Sequence, residues 1–240
     1  PSVAWGTNGF FILKDGNTIT DSSSNSNNFS LAQGTLTSTE DCPDNNFATW
    51  NKLVAQGDTF TNGNTTIARS ASSWRSAFGS IGLPLTGKFY WEVKLSTGTN
   101  TRIGITDDRA GSAIDLQNRG QVSELGEQTN SVSLAQNGSA NINTSQTSNY
   151  SASFTSSNII GVAADMTNMK LYYSKDGVFQ NSGVPTSGST GTGALSIPAS
   201  SNTYFPGVSV NASGYYVNFG NGFFGTTEIS SAGTNASGIG

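Results

Sequence analysis

The chain has 240 residues, of which 34% are hydrophobic and one is cysteine, so it can bury a sizeable core without a staple and cannot form an intrachain disulfide. Its 11 Lys and Arg against 15 Asp and Glu give a net charge of −4 and leave no basic stripe for phosphates, which argues against nucleic acid as a partner. It has no histidine, which excludes Ser-His-Asp and Cys-His catalysis and the usual zinc sites, and no apolar run approaches the ~20 residues of a membrane span.

Only 11% of residues are charged and 29 are Gly, within a background of Ser, Thr and Asn. That balance suits many short strands joined by polar turns, and the 10% aromatic content, set in alternating segments, argues against disorder. Residues 1–40 open with Trp5 and the cluster Phe10, Phe11, Ile12, Leu13, which stops at the turn KDGN and reads as a short strand and hairpin. The loop DSSSNSNNF at 21–29 has oxygens of the kind Ca²⁺ takes. It lacks the several carboxylates and the turn-making Gly of a calcium loop, so it reads as a plain polar loop. The absence of an initiating Met points to a piece of something longer.

In DCPDNNFATWNKL, residues 41–53, Pro43 and Asn45-Asn46 make a turn, after which Phe47, Trp50 and Leu53 drop toward a core. Cys42 has no base partner and reads as a structural or surface thiol. Residues 65–69 form a short strand with Ile67 inward, and SWRSAFG at 73–79 leads into the clearest strand of the chain, GKFYWEVKL at 87–95. There Phe89, Trp91, Val93 and Leu95 take one face and Tyr90, Glu92 and Lys94 the other, the period of a half-buried strand.

Residues 102–106 alternate again, with Ile103 and Ile105 inward and Gly104 allowing close approach of a neighbouring strand. Residues 107–130 carry the densest charge, alternate poorly and read as a long surface excursion. Val132 and Leu134 mark a strand, Asn137-Gly138 a hairpin, Ile142 its return, and Tyr150, Ala152 and Phe154 a further alternation. The run IIGVAA at 159–164 predicts a strand covered on both faces, and Leu171 and Tyr173 the next one, closed by Lys175-Asp176-Gly177. After a Gly, Ser, Thr and Pro-rich loop at 181–202 come a strand from Tyr204 to Val210 and a last one with Tyr215, Val217 and Phe219 on one face. No stretch of helical length shows a 3.6-residue pattern, and turn signals recur at sandwich spacing. The expectation is an all-β, two-sheet antiparallel sandwich in which Trp91, Ile103, Val162, Leu171 and Phe219 are buried together.

These pieces, in this order, resemble the SPRY (B30.2-like) domain. GKFYWEVKL is similar to the family's G-x-x-Y-W-E-V strand, RIGITDD at 102–108 to its I-G-V segment, and residues 150–178 to its D-x-I-G-V-x-x-D…L-x-F-x-x-N-G hairpin. TYFPGVSV and YYVNFGNGFF resemble the closing strands. The resemblance implies a concanavalin-like β-sandwich over about residues 74–225. Upstream, GTNGFFILKDGN and DCPDNNFATWNKL are similar to strings in SPRY-containing structural proteins of tailed bacteriophages, with Lys52 where Pro is usual. That likeness implies a virion component, a tail fibre, spike or capsid decoration, on the surface of an extracellular particle. The domain division read here is residues 1–40 as an N-terminal hairpin and polar loop, 41–228 as the sandwich and 229–240 as a flexible tail or linker.

Concanavalin-like relatives include glycosidases, which place two carboxyl groups ~5 to 9.5 Å apart. No strand here supplies alternating acids: Glu124 and Glu127 sit three apart in an irregular loop, and Asp107-Asp108 are adjacent. The chain therefore reads as non-enzymatic, with no cofactor and no metal site. What remains is binding by loops on a rigid sandwich. In SPRY domains loops at one end form the partner surface, which the resemblance maps to residues 107–127 and 136–149, with Trp74 and Arg75 as neighbours. Asp107, Asp108, Arg109, Asn118 and Arg119 are expected to contribute polar contacts to a neighbouring virion protein or a host envelope glycan. Two functions from different classes follow: a homo-oligomeric structural protein of the virion, or a lectin-like receptor-binding module.

Overall fold

The alternation at residues 87–95 becomes the interior strand of the larger of two sheets. The computed structural model describes residues 4–13, 18–34, 46–53, 58–107, 124–231 and 233. In chain order the strands are β1 (Thr59–Thr61), β2 (Thr66–Ala68), β3 (Arg75–Phe78), β4 (Lys88–Thr97), β5 (Asn100–Asp107), β6 (Ser131–Ala135), β7 (Ala140–Ile142) and β8 (Ser145–Thr147). They continue with β9 (Ile159–Asp165), β10 (Lys170–Lys175), β11 (Val178–Phe179), β12 (Leu195–Ser196), β13 (Tyr204–Asn211), β14 (Gly214–Asn218), β15 (Phe223–Phe224) and β16 (Thr227–Glu228). Among the described residues the helical content is one 3₁₀ turn at Gly188–Thr190, and no helix is long and apolar enough to cross a membrane.

The chain divides into two compact units, residues 48–219 and residues 1–47 with 220–240. The first is a two-sheet antiparallel β-sandwich. Its larger sheet runs β1-β2-β14-β4-β9-β10-β11, with β12 also on β10, and its smaller sheet runs β3-β13-β5-β6-β7-β8. From the larger sheet Trp91, Val93, Leu95, Ile160, Val162, Leu171, Tyr173, Tyr215 and Val217 point inward; Ala77, Ile103, Ile105, Val132, Leu134, Val208 and Val210 come from the smaller. The Tyr173 hydroxyl crosses between the layers and donates to the Ile103 carbonyl at 2.9 Å, so this buried hydroxyl is satisfied. Trp91, Ile103, Val162 and Leu171 share this core as expected, while Phe219 packs half-buried at its margin, edge-on to Trp50 at 5.4 Å.

Several expectations are corrected. SWRSAFG leads along the chain toward β4, but its strand β3 pairs with β13 in the opposite sheet, with Ala77 in the core and the Ser76 hydroxyl 2.8 Å from that of Ser209. Tyr150 and Phe154 are buried, but no strand joins them and Ala152 is exposed. Trp50 is buried, whereas Leu53 is 77% exposed. Gly104 does admit its neighbour: a Cβ there would lie 1.9 Å from the Val132 carbonyl oxygen.

The second unit holds the two-stranded pair β15–β16 and an N-terminal segment without strands among its described residues. Lys14-Asp15-Gly16-Asn17 and Cys42 lie outside the described residues, but the chain still doubles back. The Leu13 amide donates to the Thr18 carbonyl at 2.7 Å and the Ser22 amide to the Phe11 carbonyl at 2.7 Å. The loop at 21–29 is organised by one carboxylate. Asp21 accepts from the amides of Phe11, Ser23 and Asn27 at 2.8 Å each and from the Ser23 hydroxyl at 2.7 Å, using the lone pairs a cation would need. Burial opposes its ionisation, but these donors outweigh it and hold the pKa at about 2. The pair β15–β16, expected within the sandwich, groups with this unit instead.

Candidate functional site

On β5 the residues alternating with Ile103 and Ile105 are Arg102, Gly104 and Thr106, and they face outward from the smaller sheet. Register places Ser209 and Gly207 of β13 beside Arg102 and Gly104, and Ser133 and Ser131 of β6 on the other flank. These small residues leave a trough along the outer face, and residues 124–130 lie in it. Leu125, 1% exposed, is the plug. Its amide donates to Ser209 Oγ at 2.8 Å, and its carbonyl accepts from Ser133 Oγ at 2.7 Å and from Arg102 Nη1 at 3.1 Å. The Gly126 amide donates to Ser131 Oγ at 2.7 Å. With φ at +86° and a notional Cβ 2.4 Å from Ser133 Oγ, position 126 accepts glycine alone.

The arginine closes this strap. Its guanidinium pairs with Glu124 through Nη2 and with Glu127 Oε1 through Nη1 at 2.9 Å, and it lies 5.9 Å from the centre of the Trp74 ring. Asn141 Nδ2 donates to the same Glu127 oxygen at 2.8 Å. Burial pushes the Glu124 carboxyl up against the pull of Arg102, with Glu127 adding repulsion. One guanidinium thus bridges two carboxylates and offsets one of their two charges.

The expected site residues are divided by the structure. Trp74 stacks under Arg102, and Arg75, half-buried, opens β3 beside it. Asp107 is at the other end of the sheet. Arg75 lies opposite Val210 and Val210 opposite Thr101, so Asp107 stands six residues further along, about 20 Å at 3.3 Å per residue. It is fully buried, and its Oδ2 accepts from Ser200 Oγ at 2.6 Å, Asn130 Nδ2 at 2.8 Å and Asn202 Nδ2 at 3.1 Å. Asp107 is therefore a clasp holding three segments together. Asp108, Arg109, Asn118 and Arg119 lie outside the described residues. The 136–149 region also divides, with the turn 136–139 beside the Arg102 end and Asn143 beside the Asp107 end, where its Oδ1 accepts from the Asn130 amide at 2.7 Å. Arg102, Leu125 and Ser209 escaped the sequence reading. The signal for them was a charged residue and a row of Gly and Ser at the outward positions of 102–106, 131–135 and 207–209.

The larger sheet has a different outer face. β9, between β4 and β10, turns Gly161 and Ala163 outward, so a furrow runs along it between Tyr90 and Glu92 on one side and Tyr172 and Ser174 on the other. Tyr172 is covered by the following loop, its ring edge-on to Phe179 at 6.5 Å and its hydroxyl 3.2 Å from Ser187 Oγ. Tyr90 is not covered: it is 53% exposed, and its hydroxyl donates to Glu92 Oε1 at 2.9 Å. Burial, and then the Glu92 charge, push that phenol up.

A family model described as the SPRY domain matches residues 88–222 of the chain. Among solved structures, the SPRY domain of human HERC1 is similar at 14% identity with a TM-score of 0.51, covering 70% of this chain and 96% of that one. The TRIM65 PSpry domain is similar at 12% identity with a TM-score of 0.51, covering 72% of this chain and 92% of that one. No curated protein sequence matches significantly.

Proposed function

The chain belongs to the SPRY domain family, whose members are protein-interaction modules, and we propose from that premise that it is a non-enzymatic structural component of a tailed-bacteriophage particle. In this reading it is a fibre, spike or capsid decoration on the particle surface, and the Trp74–Arg102–Glu124 end of the sandwich docks another virion protein or a second copy of the chain. The observation that carries the docking role is the Arg102 clasp. It holds residues 124–127 to a rigid sheet, so a partner meets a preorganised surface and loses little entropy in ordering it. The particle context is supported by the strings GTNGFFILKDGN and DCPDNNFATWNKL. Self-association is supported by the exposed aromatics of the N-terminal unit, where Trp5 stacks on Phe11 at 5.4 Å and Phe10 meets Phe29 at 4.7 Å.

Antibody labelling of intact particles by negative-stain electron microscopy tests the location, and chemical cross-linking of the same particles tests the docking end. The expected result is label on the tail or capsid surface, with cross-links from residues 124–149 to a second virion chain. Particles that carry no label, or cross-links that avoid this end, overturn the proposal. A second reading, host-glycan attachment, is favoured by one separate observation, the uncovered Tyr90.

A further inference from the structure

Tyr90 stands near the middle of the larger sheet, yet its ring is laid down rather than standing away from it. The reason is on the neighbouring strand, where a Cβ at Gly161 would lie 2.4 Å from the Tyr90 hydroxyl oxygen and 2.9 Å from its Cε2. Glycine makes the space the ring fills. The hydrogen bond to Glu92 then fixes the ring's direction, giving an immobilised plate with one side in water.

The charges around the plate are mostly cationic. Lys88 and Lys94 flank it on β4, and Lys170 stands on β10 two residues before Tyr172. Two acids share the face and keep their charge: Glu92 accepts from Tyr90, and Asp165 from the Asn168 amide at 3.0 Å and Nδ2 at 2.9 Å, so three ammonium groups stand against two carboxylates. Lys88 approaches Asp165 only to 3.7 Å and is 58% exposed, so its ammonium keeps donors for an incoming anion. A chain of net charge −4 thus carries a small local excess of cations at this spot. A shallow recess, lined by Lys88, Phe89, Ala163, Asp165, Tyr172 and Pro185, extends the surface toward Lys88.

We propose that this face binds an anionic glycan, with the C–H face of a pyranose on the Tyr90 ring, one carboxylate paired with Lys88 and that of another residue of the same glycan with Lys94, about 20 Å along the strand. A flat apolar plate ringed by polar groups matches a sugar, which has one apolar face and a hydroxyl rim. It matches a peptide poorly. β4 and β9 are paired on both edges, so no strand can be added, and the recess is too shallow for a helix. The site is separate from the Arg102 end and does not depend on the docking role proposed there.

The test is a ¹H–¹⁵N titration of the whole chain with a hexasaccharide of alternating glucuronic acid and N-acetylglucosamine, against the neutral N-acetylglucosamine hexamer. The acidic hexamer should shift the amides of residues 88–94 and 159–165. Tyr90→Ala should weaken it about tenfold or more, and Lys88→Gln with Lys94→Gln several-fold. Tyr90→Phe keeps the plate and should retain most of the binding, which guards against a folding defect in the alanine variant. Absence of shifts, shifts confined to residues 124–149, unchanged binding by Tyr90→Ala, or equal binding of the neutral hexamer each overturns the proposal. Displacement by hexaglutamate with the same dependence on Tyr90 assigns the face to acidic peptide and overturns it too. Arg102→Ala leaves this titration unchanged, so the two surfaces are judged apart.

Discussion

Single residues settle matters here when they are small or when they are charged. Gly207 has no room for a methyl group, since a Cβ would meet Phe78 Cδ1 at 2.9 Å and Leu125 Cδ1 at 3.2 Å. Gly207→Ala should therefore cost about 1–3 kcal/mol through overpacking, read by urea unfolding, and the companion change Leu125→Ala in the same background should recover part of it. Asp21 gives a pH dependence whose sign is fixed by its donors. Its folded pKa of about 2 lies below the unfolded value of about 3.9, so its stabilisation is present above about pH 4 and is lost as pH falls toward 2. The amides of Phe11, Ser23 and Asn27 should exchange faster over that window, and Asp21→Asn should remove the dependence. In the sequence Asp21 was one acid in a Ser and Asn-rich loop; which amides converge on it depends on backbone turns that composition does not encode.

Among the elements, the strap at 124–130 is the least legible and the most consequential. Its sequence has no strand or helix period, so nothing local says that Leu125 is a core residue. Leu125 is buried because five small side chains on three strands leave it a trough, and those strands come from three distant parts of the sequence. Arg102→Ala should leave Glu124 and Glu127 without their cation and cost about 2–3 kcal/mol, with faster exchange of the Leu125 amide; the triple change with Glu124→Gln and Glu127→Gln should cost less. The long strands are the reverse case. β4 shows its faces in its own residues, with Trp91, Val93 and Leu95 buried and Tyr90 exposed, because alternation is a local property of an extended chain. Short edge strands such as β8, three exposed residues, leave no such mark.

For the whole molecule, the order of strands sets how it must fold. β13 pairs with β3 and β5, and β14 with β2 and β4, so the last sandwich strands close both sheets against partners about a hundred residues or more earlier. Refolding from urea should accordingly run in milliseconds to seconds or slower, as for domains dominated by non-local pairing, and a stopped-flow trace complete within microseconds would contradict this. Leu134→Ala, within the layer shared by both sheets, should cost about 2–5 kcal/mol by the same unfolding measurement. The sequence by itself determined the class of fold, the family and the inward face of the main strands, because hydrophobic alternation and turn residues act within a few positions of one another. Only the tertiary structure decided that Trp74 and Asp107 stand at opposite ends of one sheet, that Asp107 is an internal clasp, and that β3 belongs to the layer away from β4. Those facts follow from which strands pair and in what register, and pairing is decided by the joint fit of side chains far apart in the chain.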